Sequence, residues 1–122
     1  MTALEFIYML NITLLLLHEI ESAYVKEWEI LHLPGKITGF LLLHIPVIFL
    51  FLWGAIELGK DSTAGQVIAL IAGVAGMLPY VVHKMLVKRK GYFESTASNI
   101  IIYFNLSTGI FTIVLFAFQM IK

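Results

Sequence analysis

Cysteine is absent from the 122 residues, which excludes disulfides, thiolate metal sites, a cysteine nucleophile and palmitoylation. Charge is almost as scarce. Asp, Glu, Lys and Arg make up 13% of the chain and cancel to a formal net charge of zero, where a soluble domain carries about 25%. A neutral balance argues against a nucleic-acid partner. The chain has no glycine-rich phosphate loop and no Gly-x-Ser-x-Gly elbow, so nucleotide-driven chemistry is excluded. No Lys or Arg precedes the first apolar run and no small-residue cleavage site follows it. Residues 1–17 are therefore expected to be a retained first helix, not a signal peptide.

What the chain has in excess is apolar side chain, at 60% of residues against about 45–50% in soluble domains. So little polar surface cannot cover such a core in water, and lipid must be the outer solvent. Four segments, residues 4–24, 37–58, 64–87 and 95–121, are long enough to cross about 30 Å of hydrocarbon at about 1.5 Å per residue. The first helix is expected to run on along the interface toward Leu33, where Pro34-Gly35 breaks it. Gly59-Lys60-Asp61-Ser62 makes a tight turn, and Ser95 suits the N-cap of the last helix. Linkers this short make neighbours antiparallel, so residues 1–122 are expected to form one all-α, four-helix up-down transmembrane bundle.

Orientation follows from basic residues. Lys26, Lys36, Lys84, Lys88, Arg89 and Lys90 flank the first and third loops, and only Lys60 and Lys122 lie on the other side. The positive-inside rule then puts both termini outside. Tyr24, Trp28 and Tyr92 fit an aromatic belt on the cytoplasmic face. His32, beside Lys26, Glu27 and Glu29, reads as a solvated interfacial residue.

Against this apolar background the intramembrane polar groups stand out, since each ionisable one costs about 2.5–3.5 kcal/mol on insertion scales. His18 lies eight residues before Lys26 and His44 eight after Lys36, roughly 12 Å in from the cytoplasmic markers. His83 lies five residues before Lys88, roughly 7 Å in, Asn99 nine after Lys90, roughly 13 Å in, and Glu21 one turn nearer the surface than His18. The outer half offers only weaker groups such as Asn11, Thr13, Thr112 and Gln119. On the first helix His18 and Glu21 share a face, whereas Glu19 points about 100° away, toward the interface or a neighbouring helix. Stripes of small and polar residues on the third helix (Gly65 through Tyr80 to His83) and the fourth (Ser95, Ser98, Asn99, Asn105) bring polar ends together if they face the bundle axis. Pro79 leaves the Ala75 carbonyl without its helical partner.

Imidazoles from three spans plus a carboxylate are a sufficient ligand set for zinc or non-haem iron. The expected metal ligands are His18, Glu21, His44 and His83, with Glu21 alternatively the base that activates a metal-bound water and Ser98, Asn99 and Tyr80 as supporting binding groups. The expected activity is on a lipidic or amphipathic substrate. One alternative is a non-catalytic scaffold, a homo-oligomer or complex subunit, whose polar cluster only joins helices. Another is a lipid- or quinone-binding pocket without metal.

The stretch Leu17-His18-Glu19-Ile20-Glu21-Ser22-Ala23-Tyr24, followed by Lys26-Glu27-Trp28-Glu29, resembles the first-helix signature of small bacterial four-helix membrane proteins named for a His-x-x-Glu-Glu motif, with Ser22 standing at the second acid. His44-x-Pro46 and His83 are later polar marks. That resemblance implies a bacterial inner membrane and no defined activity. A looser likeness to sterol-isomerase-like bundles keeps a lipid-acting enzyme in view.

Overall fold

The computed structural model describes residues 1–87 and 91–121. Lys88, Arg89, Lys90 and Lys122, which carry part of the charge asymmetry above, lie outside the described residues.

The fold is an all-α bundle of four helices, each long and apolar enough to cross a membrane. Helix α1 spans Ala3–Tyr24, the short α2 Glu27–Ile30, α3 Lys36–Gly59, α4 Thr63–Tyr80 and α5 Thr96–Ile121. Local chemistry sets the starts. Thr2 and Glu5 form a reciprocal capping box on α1, Ser62 accepts from the Gly65 N–H on α4, and Ser95 accepts from the Ser98 N–H ahead of α5. Helix α3 begins after Gly35, whose φ of 92° only glycine adopts without strain.

Helices α1 and α4 form the centre, with α3 and α5 each packed on both of them. Polar bonds tie together the half of the bundle away from α2. The Asn11 amide donates to the Ala72 carbonyl at 2.7 Å and its oxygen accepts from Thr108 at 2.9 Å, while Tyr8 donates to the Phe51 carbonyl at 2.6 Å. Small residues Ala69, Ala72, Gly73 and Gly76 let α4 approach its partners. Large apolar side chains on all four helices face outward, among them Phe6, Phe49, Leu78 and Phe118. This is the surface a bilayer would cover.

Two departures from regular helix matter for the site. First, α1 does not continue toward Leu33. It stops at Tyr24, and Lys26 takes a left-handed φ of 55° that redirects the chain into α2. Second, beyond Pro79 the backbone widens into a π-helical turn, Val81–Leu86, closed by a bond from the Val87 N–H to the Val82 carbonyl at 2.7 Å. Pro79 has no N–H to offer the preceding turn, and this is a place where the helix can change its winding.

Candidate metal centre

His18 stands on the buried face of α1, in the stripe Asn11, Leu15, His18, Ser22. Ser22, one turn on, donates its hydroxyl to the His18 carbonyl at 3.0 Å, with its Oγ 3.4 Å from the ring Nε2. The turn at Lys26 swings α2 back against the bundle, so that Glu27 and Trp28 are both buried. The π-helical turn presents His83, also buried. These irregular pieces of backbone bring the carboxylate and the second imidazole to His18.

His83 Nε2 lies 2.9 Å from Glu27 Oε1, but off the hydrogen-bonding direction, and it has no hydrogen-bond partner. His18 Nδ1 is likewise buried and unpartnered. One ligand atom from each of His18, Glu27 and His83 lies within 4.8 Å of the others. Tetrahedral coordination at about 2.0–2.2 Å sets donors about 3.4 Å apart, so side-chain rotations of an ångström or so would close the set on an ion. Phe93 roofs the pair, with its ring centroid 3.9 Å from that of His83 and 5.1 Å from that of His18. Burial raises the Glu27 carboxyl, but contacts with His83 and Ser22 and the field of both imidazoles outweigh it. The group is held below the ordinary carboxylate range. It is therefore an anion at neutral pH, as a ligand must be.

The other expected site residues divide between two places. His44 sits across from this cluster on α3. Its Nδ1 lies 2.7 Å from the Phe40 carbonyl and its Nε2 2.6 Å from Glu19 Oε2. Glu21 turns to α5, where it accepts from the Ser98 hydroxyl at 2.7 Å. Asn99 accepts from the Lys84 ammonium, and the Tyr80 ring packs against Tyr103 at 5.6 Å. The structure thus joins His18 and His83 through Glu27. Glu21, Ser98, Asn99 and Tyr80 stand on the α5 side, and His44 pairs with Glu19. At 100° per residue, Glu21 cannot share the narrow face that His18 and Ser22 present to α2 and α4. Within the expected aromatic belt, Tyr24 and Tyr92 are exposed, whereas Trp28 turns inward against Phe40.

His18, His44 and His83 nevertheless all border one cavity of about 660 Å³ between α1, α3, α4 and the α2 segment, as do Glu19 and Glu27. Sequence reasoning missed Glu27 because it sits among charged loop residues. The one available signal was its place directly before Trp28, and that tryptophan is equally well accounted for by the expected aromatic belt.

No curated protein and no solved structure matches the chain significantly. A family does match, over residues 4–119, so the match takes in all four long helices, the buried His–Glu–His group and the cavity beside it. The chain belongs to the family of unknown function DUF6713.

Proposed function

We propose that this chain is an integral membrane metalloprotein. It holds a divalent first-row ion, zinc or iron, through His18, Glu27 and His83 and acts on a lipidic or amphipathic substrate in the adjoining cavity. One observation carries the reading: two buried imidazoles and a buried carboxylate hold one ligand atom each within 4.8 Å of one another, and His18 Nδ1 has no hydrogen-bond partner. An unpaired polar atom in such a place costs about 1–3 kcal/mol. A cation among the three groups accounts for it.

Two imidazoles and one carboxylate leave coordination positions free. An ion held by His18, Glu27 and His83 would supply Lewis-acid chemistry to a water or a substrate oxygen. The cavity would bring such an oxygen in from the lipid side. In this reading the chain is a single domain with both termini outside, supported by the lysine asymmetry, and the His-x-x-Glu resemblance favours a bacterial inner membrane. In this orientation the site lies toward the cytoplasmic leaflet.

The competing scaffold reading draws on the Asn11–Ala72–Thr108 bonds, in which polar groups do join helices. In that cluster Asn11 satisfies both ends of its amide while its neighbour Asn105 satisfies neither, so what favours a metal is the convergence of two imidazoles and a carboxylate within 4.8 Å. Elemental analysis of the purified protein, after incubation with zinc and removal of excess, separates the two. One zinc per chain, lost in His83→Ala while the bundle stays folded, supports a metal centre. A zinc-free chain whose His83→Ala variant merely unfolds more easily supports the scaffold.

A further inference from the structure

We infer that the cavity beside the His18–Glu27–His83 group is a site for a single-chain lipid carboxylate, its head at the metal and its tail along α3. The inference rests on the metal reading above and adds the class of ligand.

The first argument is shape. In α3 the buried residues are Phe40 near one end and Phe51, Gly54 and Leu58 toward the other. Between Phe40 and Phe51, about 16 Å of helix, no residue is buried. Leu43, Val47 and Ile48 from this stretch line the cavity instead. Helix α3 touches α1 here through His44 and Glu19, and beside that contact lies an apolar slot of about 660 Å³, within the size range of small-molecule sites. Leu15 of α1 and Ala75 of α4 line it from the other side, and Phe51 of α3 is also among its lining residues. The ionisable groups that border it are the three histidines, Glu19 and Glu27.

The second argument is charge. Glu27 and two neutral imidazoles leave a divalent ion with one uncompensated positive charge, which is costly at membrane depth. The nearby Glu19–His44 pair does not supply the missing anion. When His44 Nδ1–H donates to the Phe40 carbonyl, the contact between Nε2 and Glu19 Oε2 contains a single proton. Wherever that proton resides, the pair is neutral. An anionic head balances the site, an alcohol does not, and an amine adds to the excess.

The third argument is an unused donor. Trp28 lines the cavity, and its indole N–H is buried with no acceptor. Indole only donates, so the group that completes it must bring an oxygen. A carboxylate has one oxygen for the ion and one for such a donor.

The test uses the full chain in nanodiscs, loaded with zinc and assayed for equilibrium binding of radiolabelled palmitate, hexadecanol and hexadecylamine. Palmitate should bind at about one per chain and about tenfold tighter than either competitor. The preference should vanish when chelator strips the zinc. Ala75→Phe and Val47→Phe, which fill the slot from opposite walls, should keep zinc and lose palmitate. Retained zinc shows that each variant is folded at the site. Equal binding of the three amphiphiles to zinc-loaded protein overturns the inference and leaves the metal reading standing. So does undiminished palmitate binding in both filled variants that hold zinc. Failure to take up zinc at all overturns both.

Discussion

His83 Nε2 and Glu27 Oε1 meet at 2.9 Å although neither residue belongs to a regular membrane-spanning α-helix. Glu27 arrives through the left-handed turn at Lys26, and His83 through the π-helical turn that follows Pro79. Irregular backbone at membrane depth is tolerated where protein covers it or where it lines a cavity. Here it does both, and it brings Glu27 and His83 to His18.

Pro79→Ala tests this dependence on winding. Alanine restores the N–H and favours α-helix through Val81–Leu86, which shifts His83 around the axis away from Glu27. Zinc affinity should fall about 10–100-fold, the usual scale when a ligand loses its support, with little change in helix content. Competition with a chromophoric chelator measures it. Unchanged affinity would mean that the π-helical turn does not position the ligand.

Glu27→Gln keeps the shape of the side chain and removes its charge, so zinc should be lost. The metal-free wild type should also show a pH dependence that the variant lacks. Its folded carboxyl lies below the ordinary range because His83 and Ser22 hold the ionised form. Its stabilisation is complete above that range and disappears as pH falls through the lower folded value. Thermal unfolding of both proteins across the acid range checks the difference, and parallel curves would contradict it.

His44→Gln should leave zinc stoichiometry unchanged. His44 is committed to Glu19 and the Phe40 carbonyl, so its removal disturbs one wall of the cavity without taking a ligand from the ion. Loss of zinc in this variant would show that the ligand set extends across the cavity.

In the outer half, Asn11→Leu removes bonds to the Ala72 carbonyl and to Thr108. It should cost about 1–2 kcal/mol in denaturant titration and leave zinc binding intact. Gly76→Val should cost more, because a Cβ there collides with the amide oxygens of Asn11 and Asn105. A variant at either position that lost zinc while still folded would couple the two halves, against this account.

Much of the architecture was legible because lipid imposes a simple rule: long apolar runs must be helices. Depth counted from lysine markers picked out His18, His44, His83 and Asn99 alike, without separating the pair that meets Glu27 from the two that do not, and Ser95 declared itself as a cap. The acids were harder. Glu19, Glu21 and Glu27 are all near His18 in sequence, and periodicity says that they face different ways without saying what each meets. The stripe of Asn11, Leu15 and Ser22 about His18 fixes the buried face of α1 and sets Glu21 aside, but Ser22 resembles any small residue near a helix end. Glu27 was hidden by φ at Lys26. Lysine carries no preference for a left-handed turn, and the fold imposes it where α2 docks.

Zinc K-edge X-ray absorption on the reconstituted protein reads the ligands themselves. The account predicts scattering from two imidazoles and an oxygen donor at about 2.0–2.2 Å, with one imidazole missing in His18→Ala or His83→Ala. A spectrum without imidazole scattering, or one identical in wild type and both variants, would contradict it.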